Sequence, residues 1–122
     1  MQLTKNFNLK EFQCKSGAEM PKDVLKNIKI LAENMQVLRD HIDRPIKITS
    51  GYRSPEHNKK IGAKASKHVL GMACDFKIEG LTPATIIKDI EVLIMCEKMK
   101  EGGIGIYPTW VHYDIRGIKA RW

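Results

Sequence analysis

The most specific chemistry in this 122-residue chain is carried by His68, Asp75 and His112. The first two lie in Ser66-Lys67-His68-Val69-Leu70-Gly71-Met72-Ala73-Cys74-Asp75, a string that reads S-x-H-x-x-G-x-A-x-D. The second histidine stands in Trp110-Val111-His112-Tyr113-Asp114. Two imidazoles and a carboxylate make three protein ligands, the set that a catalytic zinc uses when its fourth position is left to water. Nitrogen and oxygen donors of this kind suit Zn²⁺ among the common ions, with other first-row ions as alternatives. A zinc hydrolase is therefore the leading expectation.

Three ligands so spread must be brought together by strands. Ala73 to Ile78 reads as one strand, with Cys74, Phe76 and Ile78 on one face and Ala73 and Asp75 on the other. Ile104–Tyr107 and Trp110–Ile115 read as a hairpin around Pro108-Thr109. In its second arm Trp110, His112 and Asp114 share a face. If this arm lies beside Ala73–Ile78, His112 and Asp75 converge above the sheet. Gly71 supplies the turn that returns His68 to them, and Ala73 keeps that face low.

The remaining elements frame this arrangement. Val24, Leu25, Ile28, Leu31, Ala32, Met35 and Leu38 recur at helical steps, which predicts a helix from near Pro21 to near Asp40 with Pro21 at its first position. Pro45–Thr49 alternates as a short strand. Ser54-Pro55 and Thr82-Pro83 are cap-and-proline starts. The first opens a short helix to about Lys60. The second opens a helix with Ile86, Ile87, Ile90, Leu93, Ile94 and Met99 on one face, ended by Gly102-Gly103. Helices and strands without regular β-α-β alternation predict an α+β fold, a small antiparallel sheet with flanking helices. At this length, residues 1–122 are expected to form one domain, and a monomer.

Lysine and arginine exceed aspartate and glutamate by seven (21 minus 14). This favours anionic partners, including a negatively charged polymer such as bacterial cell wall. The basic residues are scattered along the chain, so specific nucleic-acid binding is not expected. Three cysteines without metal-ligand spacing (Cys14, Cys74, Cys96) read as small buried hydrophobes in a reducing compartment. Other catalytic motifs fail. Gly102-Gly103-Ile104-Gly105 follows a helix and lacks the Lys-Ser/Thr of a phosphate loop, and neither H-E-x-x-H nor G-x-S-x-G occurs.

The chain resembles the zinc D-Ala-D-Ala carboxypeptidases and related peptidoglycan endopeptidases, whose fold is shared with the hedgehog signalling domain. The resemblance covers nearly the whole chain. It rests on Ser50-Gly51-Tyr52-Arg53-Ser54, the S-x-H-x-x-G-x-A-x-D string, Gly102-Gly103-Ile104-Gly105-Ile106-Tyr107-Pro108 and the W-V-H-Y-D strand, and Ala120-Arg121-Trp122 looks like the ending of small bacterial and phage members. It implies that His68, Asp75 and His112 bind zinc. It also implies that Arg53 binds substrate or stabilises the transition state, a role suited to a guanidinium facing a carboxylate or an oxyanion. Ser66 would contact substrate or brace its loop.

One position departs from the pattern. Many relatives carry Asp or Glu three residues before the last histidine, as general base, where this chain has Thr109. Asp114, on the same strand face as His112, is the replacement candidate, either as base or as a group that orients His112. Glu56 and His57 are weaker candidates, and Trp110 would wall the cleft or merely pack. The expected activity is hydrolysis of peptide bonds in peptidoglycan stems or cross-links, by a carboxypeptidase or an endopeptidase. The rivals are an inactive zinc-containing module that binds wall peptides or a protein partner, and a basic nucleic-acid-binding domain. No hydrophobic leader stands in Met1–Met20 and no apolar run approaches the roughly 20 residues of a membrane span. Cytoplasmic synthesis without a signal peptide is thus expected, with phage-type release to reach the wall.

Overall fold

The computed structural model describes residues 1–63 and 65–122. It is a mixed α+β fold whose elements follow the chain as a 3-10 turn at Leu9–Phe12, α1 (Lys22–Ile42), β1 (Lys47–Ser50), α2 (Pro55–Lys60), β2 (Ala73–Lys77), α3 (Pro83–Met95), β3 (Gly103–Ile106), β4 (Val111–Asp114) and β5 (Ala120–Arg121).

Helix α1 buries Val24, Ile28, Leu31, Ala32, Met35 and Leu38, the stripe that its spacing predicts. Each large side chain so buried contributes about 1.5–3 kcal/mol. Pro21 is the N-cap, one residue before the predicted position, with extended backbone (φ −61°, ψ 157°). At the other end Asp43 turns left-handed (φ 56°) and donates its N–H to Arg39 O, and Pro45 follows two residues on. Ser54 and Thr82 cap α2 and α3 as expected, their side-chain oxygens accepting the N–H groups of His57 and Thr85.

Helix α3 stops earlier than its apolar spacing predicts. The N–H groups of Glu97 and Lys98 fold back onto the carbonyls of Ile94 and Leu93 (2.9 and 2.8 Å), and Glu97 is left-handed (φ 59°). Met99 is buried all the same, from the loop beyond the helix. A buried side chain on a returning loop thus mimicked one more helical turn.

The five strands lie in the order β1-β2-β4-β3-β5. The first four pair antiparallel, and β5, which the sequence did not predict, runs parallel to β3. One face of the sheet presents Cys74, Phe76, Val111, Tyr113 and Ile104 to the cluster that includes the α1 and α3 stripes. The opposite face carries polar residues in register. Ser50 is opposite Asp75, Asp75 opposite His112, and His112 opposite Gly105. This transverse row across β1, β2, β4 and β3 is what positions the site. Of the cysteines, Cys14 and Cys74 are buried as expected and Cys96 is exposed. Among the described residues no helix is long and apolar enough to cross a membrane.

Candidate metal centre

His68, Asp75 and His112 each present one ligand atom to a common point, with the three atoms within 4.8 Å of one another. Asp75 and His112 meet because they are cross-strand partners on the polar face. His68 arrives from a tight turn in which Gly71 adopts φ 74° and donates its N–H to His68 O (3.2 Å). Ser66 Oγ accepts the N–H of His68 (3.1 Å), so it braces the turn while also lining the cleft.

Hydrogen bonding fixes both imidazoles. His68 Nδ1 lies 2.8 Å from the carbonyl oxygen of Gly51. That oxygen can only accept, so Nδ1 carries the hydrogen and Nε2 is left with a lone pair facing Asp75 Oδ1 at 3.4 Å. His112 Nε2 lies 2.7 Å from Asp114 Oδ2 and donates to it. Its Nδ1 then faces Asp75 Oδ1 at 3.3 Å. Three lone pairs meeting at such distances repel unless a proton or a cation stands among them. On donor chemistry and convergence, the group fits a divalent cation.

The Ser50–Ser54 stretch serves this centre directly. Beyond the Gly51 carbonyl, the Arg53 N–H donates to His68 O (3.1 Å). The Arg53 guanidinium donates to Ser50 Oγ (3.3 Å), Asn58 Oδ1 (3.5 Å) and Asp75 Oδ2 (3.4 Å). It lines a cleft of about 540 Å³ together with Ser66, Lys67, the three ligand residues, Tyr107, Arg116 and Trp122. Burial alone would raise the Asp75 pKa. In the metal-free protein, a proton among these atoms, with its hydrogen bonds and charge from the His112 and His68 side, outweighs burial and holds the carboxyl well below the usual range.

Asp114 is fully buried. Beside His112, it accepts from the Arg116 guanidinium at Oδ1 and Oδ2 (2.9 and 2.7 Å) and from the backbone N–H groups of Gly103 and Arg116 (2.9 and 3.2 Å). Burial would raise its pKa, but the Arg116 and His112 bonds hold it far below the carboxylate range. Of the two roles open to it, this geometry suits the orienting one. A carboxylate so engaged is a poor proton acceptor and a firm brace for an imidazole. Ala73, its cross-strand neighbour, leaves the room it occupies.

The aromatic wall differs from the expected one. Trp110 is not among the cleft's lining residues and stacks on Tyr107 (4.7 Å between centroids, 6° between planes). Tyr107 and Trp122 line the cleft instead, and the Trp122 ring sits 4.9 Å from that of His112. Thr109 lines a second hollow with Pro45, Ile46 and Ile78. Glu56, in the first turn of α2, and His57 beside it lie outside the cleft lining. Among the described residues lining the cleft, Asp75 is the only carboxylate. Sequence reasoning passed over Tyr107, Arg116 and the site role of Trp122. The available signal was the run of small residues at Gly103 and Gly105, opposite positions that carry bulky groups on the same face.

Protonation should show in stability. Burial lowers the His112 pKa, but the bonds to Asp114 and Asp75 more than reverse this, so the net shift is upward from 6.5. Such a group adds stability to the metal-free fold that is fully present below about pH 6.5 and lost as pH rises through the elevated value. A cation competes with that proton for Nδ1. The rise in Tm on adding a divalent cation should therefore be larger at about pH 8 than at about pH 6, as read by calorimetry on chelated and metal-loaded protein. An equal rise at both values would contradict this account.

The family model described as Peptidase M15 matches residues 3–114. The peptidoglycan L,D-endopeptidase MepK of Escherichia coli (strain K12) is 37% identical over 79 residues, covering 58% of this chain and 40% of that protein. The probable peptidoglycan L,D-endopeptidase MepK of Haemophilus influenzae is 35% identical over 83 residues, covering 62% of this chain and 41% of that protein. The chain thus spans about two fifths of the length of these curated relatives.

Proposed function

The chain belongs to the peptidase M15 family, and on that premise we propose that it is a zinc-dependent hydrolase of peptide bonds in peptidoglycan stems or cross-links. The observation that carries this reading is the convergence of His68 Nε2, Asp75 Oδ1 and His112 Nδ1 within one cleft. Two imidazole nitrogens beside one carboxylate oxygen would suit zinc better than calcium, which takes about six to eight oxygen ligands.

When bound, the ion supplies Lewis acidity to a water and to the scissile carbonyl. The protein's own contributions follow from the placements above. Gly51 and Asp114 hold the two imidazoles in the tautomers that leave ligand lone pairs free. Arg53 presents a cation beside Asp75, where negative charge developing on a carbonyl oxygen would be stabilised, or a substrate carboxylate held. Lys67 adds a second cation to the cleft. A predominantly basic cleft on a chain of net charge +7 favours an anionic wall peptide. Of the D,D- and L,D-bonds open to such an enzyme, the names of its relatives favour L,D-bonds. Synthesis in the cytoplasm with phage-type release, and a monomeric state, complete the reading.

One observation favours a second reading. With Asp75 in the ligand set, no other carboxylate lines the cleft among the described residues. A module that binds zinc and wall peptides without turnover would look the same. The two are separated by mass spectrometry of purified peptidoglycan digested with zinc-loaded and chelated protein. New peptide termini that vanish with the chelator establish the hydrolase and identify the bond. No new termini from several wall types, at one bound zinc per chain, establish the module.

A further inference from the structure

The wall of the cleft beyond His112 contains two aromatic side chains that metal binding does not explain. The main chain of Trp122 continues the pairing with β3, donating its N–H to Ile104 O (3.1 Å) and accepting the N–H of Ile106 (2.8 Å). Its indole lies over Gly105, where a Cβ would come within 2.6 Å of Nε1. The Arg116 guanidinium carbon stands 5.4 Å from the ring centroid, and the His112 ring 4.9 Å away. The indole is thus held by sheet, cation and imidazole together.

So held, it directs Nε1–H at the hydroxyl oxygen of Tyr107, 2.9 Å away. An indole nitrogen only donates, so the phenol oxygen accepts and its own hydrogen must point elsewhere. The Tyr107 ring is fixed as well, by its parallel stack on Trp110. The result is an oriented O–H donor on a residue that lines the cleft. Following the strand order, it stands on the β3–β5 side of the ligands, whereas Arg53 stands on the β1 side.

We infer that the Tyr107 hydroxyl, oriented by Trp122, binds substrate by donating a hydrogen bond to an acceptor oxygen of the wall peptide lying across the metal centre. Arg53, Lys67 and Tyr107 are all donors, which suits a ligand that presents carbonyl and carboxylate oxygens along its length. The identity of the ligand rests on the reading given under Proposed function. The assignment of the donor rests on the Trp122–Tyr107 geometry.

The test is calorimetric titration of soluble muropeptides into zinc-loaded wild type, Tyr107→Phe, Trp122→Phe and the double variant, with turnover followed in parallel. Phenylalanine keeps the ring that stacks on Trp110 in one variant and a ring over Gly105 in the other. Tyr107→Phe should weaken Kd, and raise KM, about five- to tenfold, the worth of one neutral hydrogen bond, with kcat changed less. Zinc content and Tm should match wild type. The double variant should bind within about twofold of Tyr107→Phe, because both changes remove one interaction. Equal affinity of wild type and Tyr107→Phe overturns the assignment, as does full additivity in the double variant. A wild type that binds muropeptides without cleaving them defeats the hydrolase reading alone and leaves the Tyr107 comparison decisive. A wild type that does not bind them overturns both.

Discussion

If the proposed zinc-dependent hydrolysis operates, His68→Ala should yield a folded protein that no longer retains zinc and cleaves wall peptides at least about a thousandfold more slowly, since Lewis acidity supplies several kcal/mol of transition-state stabilisation. The fold should survive because His68 comes from a turn over the polar sheet face and is no part of the apolar cluster. Its local cost is the Gly51 carbonyl, which loses its donor, at about 1–3 kcal/mol if water does not replace it. Asp75→Asn should lose the metal too, and for an added reason. It removes the one negative ligand, leaving the Arg53 guanidinium beside the site without the carboxylate that balances it and a bound cation. Equilibrium dialysis with zinc, alongside circular dichroism, checks both. One zinc retained per folded His68→Ala chain would remove that residue from the ligand set.

Asp114 gives the second large effect, and a sharper question. As the brace of His112, it should show its loss first in the metal. Asp114→Asn should weaken zinc affinity about 10- to 100-fold, with kcat at saturating zinc reduced far less. A general base behaves in the opposite way, with kcat falling about 10²- to 10⁴-fold at unchanged zinc affinity. Asp114→Ala should go further. It deprives Arg116 of its anionic partner and two backbone N–H groups of their acceptor. Arg116 is partly exposed and can turn to water, so the loss falls mainly on the buried N–H groups, at about 1–3 kcal/mol, which chemical denaturation of the metal-free protein would read directly. Zinc affinity equal to wild type in Asp114→Asn would return Asp114 to the role of base.

The contrast between these residues shows what the amino-acid order made legible. Ligand types, their strands and their faces could be read because strand alternation is strict, and Asp75 and His112 prove to be direct cross-strand partners. The α1 stripe and the caps at Ser54 and Thr82 were legible because each depends on neighbours in sequence. Arg116 was not. Its bonds to Asp114 look local, but the space they occupy depends on Gly103 across the sheet and on Trp122. Trp110 could be read either as cleft wall or as packing, and Trp122 was given no place in the site, for a related reason. Alternation puts Trp110 on the same face as His112, but the hairpin end lets it lie against Tyr107, while the unpredicted β5 carries Trp122 to the cleft. The end of α3 was misjudged because a periodic pattern does not reveal whether Met99 reaches the core from a helix or from a loop.

The pairing of Asp75 with His112 also bears on how the molecule comes together. The partners are 37 residues apart (112 minus 75), with all of α3 between them, and they face one another only once β2 and β4 are zipped. An ion can be gripped by all three donors only after this late, long-range closure, so it has little to stabilise in a half-formed chain. Its hold is therefore placed on the exit from the native state and not on the entry. A bound cation would then act as a latch, slowing unfolding while leaving the folding rate almost untouched, as unfolding rates with and without metal would test.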